Sequence, residues 1–494
     1  MKLKAISSSV LLALLPVSGV YAAAMDRSGQ SMSAFLQPNN YFEAGISILT
    51  PDVSGQATSA YGGGKFDDMG SDYYFPSAAI KLQIHDKISF GLLYDQPFGA
   101  AAKYVGNNIL VSNPGVDTIL PAPQLAALRQ AAIARNTPAG IQQLATTAGI
   151  PLATAQAMYA ANAPIPGMGN TKDIVDAGVA SQVDATLNST KQLLGQGGTK
   201  VDVDTQNLSM VFGFQPTENF NIYGGGVYQT VKGSLNLRGA AASVFNGYDA
   251  SFDETGGVGW LAGAAFQIPD IALKLSATYR SEIEHKVDTR ETLTSQPALP
   301  LLANAGLDVS NVNNILSKDI TRTKLKTPQS VNLDFQTGIM ADTIAFANVR
   351  WVNWQDFKIR PEKFGAVAET IGQLPAVGQP NGFNIIEYTD DQISATVGVG
   401  RKLTEKWSGT FAVGWDSGAG NLVSSLGPTE GYWNVGLGAQ FSPTPSTFIA
   451  GGVKYFWLGD AKAQLSSQFG SDNYIGDFTD NDAFAMGLKI GYKF

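Results

Sequence analysis

His85 and His285 are the only imidazoles among 494 residues, and there is no cysteine. These two side chains are therefore the only ready general bases at neutral pH. An outer-membrane esterase or phospholipase would need one of them beside a serine, yet no Gly-x-Ser-x-Gly elbow, His-Glu-x-x-His or Cys-x-x-Cys run occurs. His85 falls in a short turn and His285, next to Glu284, near a strand end at the opposite rim, where it reads as a surface residue. The absence of cysteine excludes a disulfide framework, a thiolate metal site and a cysteine nucleophile. A net charge of −8 and a pI near 4.9 argue against a nucleic-acid partner. No enzyme and no cofactor is expected. What remains is the chemistry of partition between water and lipid.

The C-terminus carries that signal. Phe484, Met486, Leu488, Ile490, Tyr492 and Phe494 alternate with Ala485, Gly487, Lys489, Gly491 and Lys493, so period two sorts large apolar groups onto one face of a strand. The strand ends on the last residue, an aromatic. It resembles the terminal strand of bacterial outer-membrane barrels, and the resemblance implies docking on the barrel-assembly machinery through Phe494. Similar dyads run through Leu273–Arg280, Val331–Gln336, Ile393–Gly400, Trp433–Phe441 and Ile449–Trp457, several ending on Trp or Tyr (Trp351, Trp407, Trp433, Trp457, Tyr279, Tyr492). An apolar face turned to lipid around a polar lumen, with aromatic girdles, defines a transmembrane β-barrel. Closure is obligatory because hydrocarbon satisfies no open sheet edge. Charged residues are only 15%, against about 25% in ordinary domains.

The N-terminus sets the compartment. Lys2 and Lys4 precede the apolar run Val10–Leu15 and the small residues Ala22–Ala24. Residues 1–22 read as a secretory signal, with cleavage after Ala22 or Ala24, because the run is too short to span a bilayer. The expected location is the outer membrane of a Gram-negative bacterium, as a monomer in contact with lipid and lipopolysaccharide. Residues 23–41 form a short N-terminal plug and 42–494 an all-β antiparallel barrel of about 14 strands, an even number as single-chain barrels need. Turns such as His85–Lys87, Pro216–Asn219, Pro269–Ile271 and Pro443–Ser446 are short and periplasmic; longer outer connections alternate with them. One of these, 100–200, has helical spacing in Gln124–Arg135, Gly140–Ala148, Leu152–Asn162 and Thr171–Leu194 and predicts a helical extracellular insertion. A second, 288–326, carries Leu299, Leu301, Leu302, Leu307, Ile315 and Leu316, read either as the loop's own packing or as an apolar capture surface. Arg280 with Glu282 and Glu284 reads as a luminal charge network.

Several runs together resemble the FadL-type outer-membrane transporters of long-chain fatty acids and other hydrophobic compounds. They are Phe42–Gly45 through Pro51–Gly55, Gln96-Pro97-Phe98-Gly99, Tyr279-Arg280-Ser281, Thr327–Leu333, and Trp351 and Trp354 with Phe357. The resemblance implies a 14-stranded barrel plugged by an N-terminal hatch. It also implies loop capture of the ligand, an internal apolar pocket, and lateral release through a gap at a kink in the third strand. Pro97 and Gly99 suit that kink, since proline removes a ladder donor and glycine permits a bulge. Gln37-Pro38-Asn39-Asn40 stands where the family has an Asn-Pro-Ala turn, and the hatch is shorter. By position, Lys232 or Arg238, and Lys358 or Arg360, fall where the family places basic residues for a carboxylate. Passive uptake of fatty acids is the leading expectation, then of aromatic or alkane hydrocarbons, then a general porin.

Overall fold

The computed structural model describes residues 25–119, 122–299, 303, 307–375, 377–420 and 422–494. The signal reading for 1–22, and Leu301 and Leu302, lie outside the described residues.

Seventeen strand segments close into one antiparallel sheet. They make fourteen staves, because the third, seventh and eighth are each interrupted once. In chain order these are β1 (Tyr41–Asp52), β2 (Tyr73–His85), β3 (Ile88–Asp95 and Gly99–Lys103), β4 (Lys200–Thr217) and β5 (Phe220–Leu237). They continue with β6 (Tyr248–Ile268), β7 (Leu273–Arg280 and Ile283–Leu293), β8 (Thr321–Thr327 and Ser330–Met340), β9 (Thr343–Val352) and β10 (Gln392–Lys402). The last are β11 (Trp407–Asp416), β12 (Tyr432–Thr444), β13 (Thr447–Leu458) and β14 (Asp482–Lys493). β1 pairs with β14 from Tyr41 opposite Lys493 to Asp52 opposite Asp482, which removes both sheet edges. No described helix is long and apolar enough to cross a membrane; the crossing is made by strands.

Burial confirms which face is which. Phe484, Met486, Leu488, Ile490, Tyr492 and Phe494 are all exposed, while Ala483, Ala485 and Lys489 are buried inside. In water such an outer surface would be unstable; in hydrocarbon it is the contact surface. Phe220, Trp407 and Tyr492 mark a lower aromatic girdle and Tyr228, Trp260, Trp433 and Trp457 an upper one, all exposed. The inner face carries Ser89, Asn207, Ser209, Gln229, Arg280, Asn332 and Arg350, all buried.

β4 and β5 have 18 residues each and β6 has 21. About 9–11 suffice to cross hydrocarbon, so the wall stands well above the bilayer. There its outward side chains turn from apolar to charged. For that reason β7 continues to Leu293 and β8 begins at Thr321, and the loop between them is 294–320, shorter than the sequence indicates. Likewise the insertion runs over 104–199, because Gly99–Lys103 is strand. It folds as α1 (Ala122–Ala148), α2 (Leu152–Ala160) and α3 (Thr171–Thr190) around Ala132, Ile141, Leu144, Ala155, Val175, Val179 and Val183. α1 passes through Pro138 without ending, where the sequence predicts two helices. Packing on α3 offsets the lost hydrogen bond, with Gly140 set against Val179 so closely that a Cβ would lie 2.6 Å from it. A small five-stranded sheet of loop segments closes over the outer mouth.

Candidate functional site

Three features define the interior. The outermost is a vestibule of about 730 Å³ lined by Tyr61, Leu110, Phe245, Phe364, Ile371 and Phe383, with no charged residue on its lining. Its floor is α5 (Ser310–Leu316 being α4, Glu362–Gly372 α5). Pro361 precedes the first turn of α5, and its apolar run is buried nearly all round. The Glu291 carboxylate of β7 accepts the backbone N–H of Lys363 at 3.1 Å and of Phe364 at 2.9 Å, and the Tyr248 hydroxyl donates to it at 2.8 Å. A carboxylate at a helix N-terminus satisfies orphan donors and complements the dipole. This anchors Phe364 against Phe245 (ring centroids 4.3 Å apart, stacked) and Phe383 (5.7 Å, edge-on).

Residues 25–40 lie below, inside the lumen. Gly29 and Gln30 both have positive φ (61° and 50°) and turn the chain back on itself. The Asp26 carboxylate meets the Arg350 guanidinium at 2.6 Å, and Arg350 also donates to Asn332 at 2.7 Å and Gln30 at 3.1 Å. Asn332 donates to the Gly29 carbonyl at 2.7 Å, Arg280 to the Gln30 carbonyl at 3.3 Å, and Lys274 to the Leu36 carbonyl at 2.9 Å. Polar inner faces of β7, β8 and β9 therefore hold the segment.

The third feature is the interruption of β3 at Gln96-Pro97-Phe98. Below it β3 pairs with β2 as far as Ala78 opposite Tyr94. Above it Gly99–Lys103 pairs with β4 alone. Among the described residues no ladder joins that upper segment to the start of β2, apart from an isolated bridge of Gly70 to Ala102. The Tyr73 hydroxyl fills in, donating to the Ala101 carbonyl at 2.6 Å and accepting from its N–H at 2.7 Å. From inside, the N-terminal segment lends its backbone: Arg27 N–H to Pro97 O at 2.7 Å, and Gly99 N–H to Met25 O at 2.9 Å. A side chain at Gly99 would collide with the Arg27 guanidinium. A cavity of about 230 Å³ runs from the plug segment to these strand edges. Ser28, Phe75, Ala79, Leu93, Asp95 and Gln96 line its wall side, and Lys274, Arg280, Lys454 and Lys489 its luminal side.

Pro97 lies within the interruption and Gly99 is the first residue after it. The four basic residues singled out by position do not converge. Lys232 is exposed on the opposite face of β5 from buried Val231, and stands opposite Asp204. Arg238 is buried but held by the carbonyls of Gln196, Leu237 and Tyr248 and by Asp249. Lys358 is exposed, and Arg360 is paired with Glu369 at 2.7 Å. None of the four lines the inner cavity or the vestibule. Leu299 and Leu316 are buried in the outer cluster and Leu307 and Ile315 pack against it; none lines the vestibule. The cations that do line the inner cavity sit at inward positions of the dyads, a parity signal that sequence contains. Two readings need correction. Glu282 and Glu284 are exposed and pair with Lys326 and Lys286, not Arg280, because the break after Arg280 inverts the in–out phase of β7. For the same reason His285 is not a surface residue: it is fully buried, with Nε2 3.2 Å from Gln229.

The molecule is a closed 14-stave barrel with a luminal N-terminal segment and an interrupted third stave. The sequence matches no family model and no curated protein. Its structure is similar to that of a Pseudomonas aeruginosa FadL homologue, at TM-score 0.59 and 14% identity, over 94% of this chain and 92% of that one. It is also similar to the Pseudomonas putida toluene transporter TodX, at TM-score 0.51 and 10% identity, over 93% of this chain and 91% of that one. The fold is the FadL-type barrel.

Proposed function

We propose that this protein is a passive outer-membrane conduit for hydrophobic molecules of a Gram-negative cell. Solutes would enter through the uncharged vestibule and leave sideways where β3 parts from β2. The observation that carries the reading is the inner cavity, which touches both the plug segment and the unpaired edges of β2 and β3. Such a route is physically economical. Outer-leaflet polysaccharide retards an apolar molecule, whereas hydrocarbon does not, so the path need only bypass the former. The barrel itself needs no energy source, since movement follows the gradient.

Long-chain fatty acids are the first candidate substrate, because the four cations Lys274, Arg280, Lys454 and Lys489 outnumber the three acids Glu43, Asp95 and Asp334 on the lining of the inner cavity and would favour a carboxylate. Neutral aromatic or alkane hydrocarbons are the second, favoured by the uncharged vestibule and by the likeness to a toluene transporter. The signal peptide, the monomeric state and docking through Phe494 belong to the same proposal. Growth of a deletion strain, with and without this protein, on oleate, an alkane and an aromatic tests it. Faster growth of the complemented strain on one class identifies the substrate; equal growth on all three defeats the reading.

A further inference from the structure

The wall has a second seam, between β6 and β7. These staves keep one register from end to end: Tyr248 stands opposite Leu293, Phe252 opposite Thr289, and Leu261 opposite Arg280. Among the described residues, none from Asp253 to Trp260 has a ladder partner on β7, and none from Ser281 to Asp288 has one on β6.

The cause lies in side-chain phase. Directly opposed residues in an antiparallel ladder point to the same face. That holds below the seam, where Leu261 and Arg280 are both buried inside, and above it, where Ala250 and Glu291 are. In between, β7 has changed phase at Ser281-Glu282, so Ile283, His285 and Val287 point inward and Glu282, Glu284 and Lys286 outward. β6 changes phase further up, where it bulges against β5 between Val231 and Gly233. Over the intervening stretch Gly257 would face Glu284 and Gly259 would face Glu282, an inward position against an outward one. The ladder cannot form. Ile283 instead closes the seam from inside, beneath two glycines: a Cβ on Gly257 or on Gly259 would lie 2.6 Å from its side chain. β8 is interrupted opposite, at Pro328-Gln329, and stays paired to β7, so the β7–β8 hairpin leaves the wall as a unit.

The seam's position matters as much as its existence. It starts at Trp260 and Tyr279, whose rings are 5.1 Å apart on the upper girdle. There Ser281 substitutes for the missing ladder, its N–H donating to the Trp260 carbonyl and its hydroxyl accepting the Trp260 N–H, both at 3.0 Å. Inside, a void of about 10 Å³ is bounded by Gln30, Phe98, Gln229, Trp260, Arg280 and Ile283. Gln30 belongs to the plug segment and Phe98 to the interruption in β3, so all three features meet at this point.

We infer that the β6–β7 seam is a second lateral portal, passing neutral apolar molecules between the lumen and the outer leaflet, with Ile283 as its gate. Its throat is set by Ile283 with Gly257 and Gly259, the buried His285 ring lies beside Gly257, and the outer edge carries Glu282 and Glu284, which disfavour an anionic headgroup. The inference rests on the conduit reading above.

Because the chain has no cysteine, the portal can be locked and probed directly. In the double variant Gly259→Cys/Ile283→Cys a disulfide would tie the edges. Uptake of labelled toluene by cells of a deletion strain should fall several-fold with the oxidised variant and recover on reduction. Ile283→Cys alone should react with a bilayer-dissolved pyrene maleimide, whereas Val211→Cys, buried where β4 is paired on both sides, should not. Equal toluene uptake by oxidised and reduced protein, or no labelling at position 283, overturns the portal and leaves the conduit standing. No protein-dependent uptake of toluene or oleate by the unmodified chain defeats both.

Discussion

Arg350 shows what single residues contribute. Its guanidinium is buried with Asp26 and ties β9 to the plug segment. Removing one partner of a buried pair leaves the other charge stranded, at about 3–5 kcal/mol. Arg350→Ala should therefore release residues 25–36 while the barrel persists, seen as loss of amide-exchange protection confined to that segment. Gly99→Val should act one residue further along the same segment by displacing Arg27 from the β3 interruption. The expected readout is an increase in single-channel conductance in planar bilayers over the parent protein; an unchanged closed baseline would contradict it. At this scale sequence told half the story. Parity alone places Lys274, Arg280, Lys454 and Lys489 inward, yet only closure brings β7, β13 and β14 around one cavity. Parity likewise turns Lys232 outward, which placement by family position overlooks.

Elements were legible where one physical rule governs them. The dyads of β14 and β12 survive intact because lipid on one side and a polar lumen on the other impose strict alternation. Legibility fails from the upper girdle outward, where outward positions of β7 and β8 carry Glu284, Lys286, Arg322 and Lys324 and the strands read as loop. It fails again at phase inversions, which are set by the partner strand and by no local signal. That is why His285 was misplaced. The helical insertion has its own core, so replacing 122–190 by a flexible linker should leave a barrel that still shifts mobility on heating in detergent gels. The 417–431 loop offers a pH test. Burial, and then the neighbouring Asp390 carboxylate, push Glu430 up to about 7 from its ordinary 4.5. A raised acid stabilises the folded loop fully below pH 4.5 and loses that contribution as pH rises through 7. Amide exchange in this loop should accelerate over that window, and Glu430→Gln should abolish the trend.

For the whole molecule, the decisive physical statement is that the apolar surface of the staves contacts lipid, and that the wall they form is incomplete. A barrel of this kind should remain with the outer-membrane fraction and need detergent for extraction. In the sequence the incomplete wall is visible only as Pro97 and Gly99. The seam between β6 and β7 left no composition signal at all, since it arises from two phase changes that are out of step. The most direct test is the initial uptake rate of labelled oleate and labelled toluene by cells with intact lipopolysaccharide, comparing a deletion strain with the same strain carrying this protein. The account predicts a protein-dependent rise for at least one of the two and none for a hydrophilic sugar of similar size. Entry of the sugar alone would mark an ordinary water-filled pore and contradict it.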